Sequence, residues 1–141
     1  MKNLSKLVAG MGLLSLLFVM PLAAQIENGV DFTTSFPFYA GNVWMPAGSY
    51  RITQSEVVSS ILEIQSSDRV HSAFLDIIPT QSVQPHAQSD VTFHKYGDTE
   101  YLNRIWAEGQ QFGMEVEPTK AELKAAAKAN AVEHSSSGSL R

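Results

Sequence analysis

The sequence predicts an all-β, mainly antiparallel domain: a small sandwich or barrel of six to seven strands with a C-terminal helix, following a cleavable signal peptide. Three observations carry this reading. Residues 30–117 break into short alternating runs separated by Gly, Pro, Asn and Asp. At Pro118 the alternation gives way to an alanine-rich stretch with a helix-start signal. Residues 1–24 have the composition of an export signal.

In chain order, Lys2 and Lys6 supply a basic start, Leu7 to Met20 an apolar stretch, and Pro21-Leu22-Ala23-Ala24 a turn with small residues before Gln25. This apolar run is shorter than the roughly 20 residues a membrane-spanning helix needs, so cleavage after Ala24 is expected. Leu22 at the −3 position is an imperfect fit, and retention as an N-terminal anchor is the alternative. No cysteine follows the apolar run, which excludes a lipid attached to one. The expected location is periplasmic or secreted.

The β-domain spans 30–117. Asp31 to Phe38 places Phe32, Thr34, Phe36 and Phe38 on one face, with Pro37 marking a sheet edge or a strand end. Pro46-Ala47-Gly48 makes a turn, and Ser49 to Gln54 returns as a hairpin partner across a connection, Tyr39 to Gly48, that is long for such a unit. Val57 to Gln65 and Arg69 to Ile78 flank the polar link Ser66-Ser67-Asp68 and form a second hairpin. Because both parities of the latter run are apolar, that strand is expected to be covered on both faces or to carry a bulge. Pro79 to Asp90 reads as a surface loop. Val91 to Tyr96, the turn Gly97-Asp98 and Tyr101 to Ala107 make the clearest hairpin, and Phe112 to Val116 a last strand. The expected core draws on the phenylalanines with Ile52, Leu62, Ile77, Ile105 and Trp106.

A helix is expected over 118–133. Thr119 and Glu122 form a capping box, and alanine is the strongest helix former. Its apolar side, Leu123, Ala127, Asn130 and Ala131, is too poor to dock firmly. The serine-rich tail, 134–141, is expected to be disordered because it cannot offset its ordering entropy.

Composition removes several function classes. Ten basic against 14 acidic side chains give a net charge of −4, and the balance becomes more negative once Lys2 and Lys6 are cleaved off. No electrostatic footprint for nucleic acid or an anionic membrane remains. The absence of cysteine removes disulfides, thiolate metal sites and cysteine nucleophiles.

Phe36-Pro37-Phe38, Gly41, Pro46-Ala47-Gly48-Ser49-Tyr50, Phe93-His94-Lys95-Tyr96-Gly97-Asp98, Leu102, Ile105-Trp106 and Gly109 together resemble a group of small exported bacterial proteins of unknown function. Its members show a signal peptide, an aromatic first strand, a PAG-x-Y turn and a YG…L…IW hairpin. The resemblance covers roughly residues 30 to 118 and implies one compact exported domain, with no activity, cofactor or binding residue attached. Gly41-Asn42-Val43-Trp44 is also similar to the Gly-x-Trp start of lipocalins, with one residue too many.

Candidate site residues are few. His71, His86, His94 and His134 show no metal-ligand spacing. No serine sits in a Gly-x-Ser-x-Gly elbow and no glycine cluster joins a strand to a helix, so neither a catalytic set nor a cofactor or metal site is predicted. Asp76 lies on an otherwise apolar strand, beside Phe74 and Ile78 in parity, where Arg104 or Lys95 could pair with it. The loop carrying Tyr39, Trp44 and Met45 either caps one end of the core or forms an aromatic surface for an unknown small molecule, a glycan or a protein. The functional expectation is an exported, non-enzymatic binding or structural β-module. Its alternative is a small periplasmic hydrolase or metal-dependent enzyme using Asp76, His71, His94 and Arg104.

Overall fold

A computed structural model describes residues 29–129, 132–137 and 139–140. The expected signal peptide, 1–24, lies outside the described residues. The strands are β1 (Val30–Thr34), β2 (Phe38–Ala40), β3 (Val43–Met45), β4 (Gly48–Gln54), β5 (Ile61–Ser66), β6 (Ser72–Gln81), β7 (Asp90–Tyr96), β8 (Thr99–Trp106) and β9 (Phe112–Val116). Helix α1 (Lys120–Lys128) follows, then β10 (Val132–Ser137) and β11 (Ser139–Leu140).

These elements form one mixed, mostly antiparallel sheet in the order β10-β7-β8-β9-β6-β5-β4-β1-β11, with the β2–β3 hairpin attached to β8 through a parallel pairing of Tyr39 with Tyr101. The ten-residue strand β6 is the corner. Its first half, Ser72 to Asp76, pairs with β5, and its second half, Ile77 to Gln81, pairs with β9. The two halves of the sheet fold over one core, as corner strands allow. Phe32 and Tyr50 from one half meet Phe93 and Phe38 from the other, with ring centroids 5.1 to 6.2 Å apart. Both ends of the sheet stay open: among the described residues no ladder joins β10 to β1, so the architecture is a bent open sheet and not a closed barrel of the lipocalin kind.

Several boundaries differ from expectation, each for a local reason. The run Asp31 to Phe38 divides in two because Pro37 has no backbone donor and the Thr34 hydroxyl donates to the Phe36 carbonyl at 2.7 Å, turning the chain between β1 and β2. Tyr39 to Pro46 is not a loop but a two-residue hairpin: Ala40 pairs with Val43 around Gly41-Asn42, and Gly41 takes φ +60°, which its missing Cβ permits. Val57 to Ser60 precede β5 as exposed chain instead of extending it. Strand β6 is not covered on both faces, for Phe74, Asp76 and Ile78 point to the outside while Ala73, Leu75 and Ile77 enter the core. Phe74 is 73% exposed and leaves the predicted core, whereas Ile52, Leu62, Phe93, Ile105 and Trp106 are buried as expected.

The helix is shorter than 118–133 and ends at the extended residue Ala129; Asn130 and Ala131 lie outside the described residues. The tail expected to be disordered instead pairs as β10 along β7 and as β11 along β1. Edge strands offer rows of backbone donors and acceptors that any sequence can satisfy, so a poor side-chain composition does not forbid strand pairing there.

Candidate functional site

The β2–β3 hairpin places its aromatic residues by strand parity. Phe38 and Met45 are paired partners that point inward and are fully buried, while Tyr39 and Trp44 are partners that point outward. Register then aligns a row across four strands of the outer face: Trp44 on β3, Tyr39 on β2, Tyr101 on β8 and His94 on β7. Tyr39 and Tyr101 stack at 5.4 Å with their planes 22° apart, and Tyr96 meets Tyr101 edge-on at 5.7 Å. Trp44 is 52% exposed at the open end of the row. Met45 points into the core, the first of the two roles expected for this segment.

Helix α1 closes the other end of the row. Thr119 caps the helix by accepting from the Glu122 N–H at 3.2 Å, as the capping box predicts. The Glu122 carboxylate turns away from the cap and into the sheet. It accepts from the Tyr96 hydroxyl at 3.4 Å and lies 3.6 Å from His94 Nδ1, which is itself 3.2 Å from that hydroxyl. Burial pushes the Glu122 carboxyl up from its ordinary range, and the His94 ring opposes that shift by favouring the charged form. Burial likewise raises Tyr96 and Tyr101, with the Glu122 charge adding to both. The helix therefore docks through a buried glutamate, not through Leu123, which is 56% exposed.

Beside the hairpin tip lies a cleft of about 450 Å³. Its walls come from the Gly41-Asn42 turn, Phe74 to Asp76 of β6, and the Val116 to Lys120 segment that leads into α1. Leu75 and Val116 carry its apolar lining, and Asp76, Glu117 and Lys120 its charges.

The residues of the enzymatic alternative do not meet. Asp76 is exposed on the outer face of β6, and His71 sits in the β5–β6 turn, five residues or about 16 Å of strand away. Arg104 Nε donates to Glu115 Oε2 at 2.9 Å. His94 belongs to β7, separated from β6 by β8 and β9, about 14 Å in strand spacings. Among the described residues no group of three or more His, Asp or Glu side chains could hold a metal ion, and no helix is long and apolar enough to cross a membrane.

Sequence reasoning missed Glu122, Tyr96 and Tyr101 as a unit, because the capping motif accounted for Glu122 and only the fold brings β7, β8 and α1 together. It also missed the hairpin that orients Trp44, although Gly-Asn between Phe38-Tyr39-Ala40 and Val43-Trp44-Met45 is a turn signal of the right length. Comparison with protein-family models, with curated proteins and with solved structures finds no match to this chain.

Proposed function

We propose that this protein is an exported, non-enzymatic binding module that takes its ligand at the Trp44 end of the aromatic row. The observation that carries the reading is the Trp44 indole, half exposed on a tight hairpin and flanked by Tyr39. An indole combines a large apolar face with a single donor, and held on a tight hairpin it offers a preformed platform for the flat face of a ligand. The neighbouring Tyr39 and exposed Asn42 add hydroxyl and amide groups at the margin. A ligand with one flat apolar face and a polar rim fits this arrangement, and a pyranose ring is the simplest chemistry of that kind.

The test is fluorescence titration of Trp106→Phe protein, in which Trp44 is the sole indole, with a panel of soluble oligosaccharides. The expected result is a red-shifted, readily quenched emission that moves to the blue and saturates with at least one sugar, and loss of binding by Trp44→Ala protein in a calorimetric titration. Emission typical of a buried indole, or no response to any member of the panel, would remove the glycan reading at this surface.

A further inference from the structure

Among the described residues, part of the backbone of the corner strand β6 has no pairing strand on one side. Ile77 N–H donates to the Ser60 carbonyl at 3.0 Å, and Ser66 N–H donates to the His71 carbonyl at 2.8 Å. The odd-numbered residues of β6 thus direct their backbone groups at β5, and the even-numbered ones direct theirs to the opposite side, as the antiparallel ladder requires. On that opposite side Glu117 N–H donates to the Asp76 carbonyl at 2.9 Å, and β9 serves the remainder of the strand. Beyond Glu117 the chain reaches Pro118, which has no backbone donor, and leaves the sheet to start α1. The N–H and C=O groups of Ser72 and Phe74 consequently face away from β5, where no strand runs among the described residues, and Phe74 to Asp76 form a wall of the 450 Å³ cleft.

We infer that this edge is a strand-addition site for an extended peptide of a partner protein, which takes up the line of β9 antiparallel to β6 and presents a basic side chain opposite Phe74. Backbone pairing to Ser72 and Phe74 supplies the attraction, and side-chain parity supplies the selection. The peptide residue opposite Phe74 shares the outer face with it. There the Phe74 ring, 73% exposed, lies directly across, and the Asp76 and Glu117 carboxylates are the next neighbours along the two strands. An arginine or lysine covers the ring with its aliphatic stem and brings its cation to both carboxylates. Glu63, the β5 partner of Phe74, adds a further negative charge to the same face. The next peptide residue points to the opposite face, the side of Ala73 and Leu75, where an aliphatic side chain matches its apolar neighbours. Lys120 at the far wall disfavours a second cation beside α1 and sets the direction in which the basic residue faces. This site uses neither Trp44 nor Tyr39 and does not depend on the reading of that surface.

The test is a titration of the full chain, labelled with 15N, with the blocked pentapeptide acetyl-RVTVT-amide, followed by amide chemical shifts; its arginine comes first because Glu117 and Pro118 already hold the positions opposite Asp76 and Leu75. Saturable shifts centred on Ser72, Phe74 and Glu117, with a peptide in which glutamate replaces arginine binding at least tenfold more weakly, are expected. Methylation of the arginine backbone nitrogen should abolish binding, since it removes the donor to the Phe74 carbonyl. The variant Asp76→Asn, altered only at an exposed side chain, should lower affinity severalfold and lose part of the salt dependence. Shifts confined to other residues, equal affinity for the arginine and glutamate peptides, or indifference to nitrogen methylation would overturn the inference. So would sedimentation showing that two copies of this chain associate through Ser72 to Phe74, because the edge would then belong to a dimer.

Discussion

At Gly113 the absence of a side chain is what allows Trp106 to lie flat in the sheet. A Cβ there would come within 2.4 Å of the Trp106 Cε3 atom and 2.8 Å of the Ile105 carbonyl oxygen. Backbone cannot retreat without breaking the β8–β9 ladder, so the indole would have to move. It is held in turn by the His86 ring, stacked 4.2 Å away. Gly113→Val is expected to cost about 1–3 kcal/mol, the usual range for overpacking, and to weaken the His86 contact. Urea unfolding checks the first effect, and the Trp106 emission of Trp44→Phe protein checks the second. At Phe93, which touches Phe32, Phe36 and Phe38, truncation acts in the opposite sense. Phe93→Ala is expected to lower stability by about 3–5 kcal/mol through the cavity it leaves, with the midpoint of urea unfolding as the measurement.

At the scale of the element, α1 is unusual in burying a carboxylate and exposing its leucine. Because burial raises the Glu122 carboxyl, the folded state holds that proton more tightly than the unfolded chain does. The stability this group contributes is therefore present below the ordinary carboxyl value and declines as pH rises through the raised one. The His94 contact works against this shift, and Tyr96 donates to the same carboxylate oxygen. Glu122→Gln keeps the shape and an acceptor but does not titrate. Its stability relative to the original protein is expected to improve between pH 4 and pH 7, read from urea unfolding at both values. A difference that stays constant over this interval would show that Glu122 does not titrate there. The β2–β3 hairpin is the contrasting element, because three paired residues on each strand bury Phe38 and Met45 and thereby fix the outward direction of Tyr39 and Trp44. Its recognition surface is a consequence of its packing.

For the whole molecule, the bent sheet explains how a chain without cysteine holds together. One core is shared by both halves of the sheet, and β6 carries the covalent and hydrogen-bonded continuity between them. The protein without residues 1–24 is expected to give a circular dichroism spectrum dominated by β signal with a minor helical part, and a mainly helical spectrum would contradict the fold. Mass spectrometry of the periplasmic or secreted fraction is expected to find an N-terminus at or near Gln25. Recovery of the full-length chain only in membranes would point to a retained anchor.

Local patterning by itself determined the fold class, the hairpin around Gly97-Asp98, the strand Phe112–Val116 and the Thr119 cap, since each rests on neighbours two to four residues apart in the chain. It also marked Trp44 as a residue to explain. Period-two alternation cannot say which apolar face of Arg69 to Ile78 enters the core, because both faces are apolar; the pairing of β6 with β5 and then β9 decided that Phe74 and Ile78 stay outside. The composition of the serine tail carries no information about its backbone, and the available edges of β7 and β1 decided its pairing. The Glu122–His94–Tyr96 contact and the cleft beside Asp76 arise only where elements distant in sequence meet. The energy of such contacts depends on burial and mutual distance, which exist only once the chain has closed around its core.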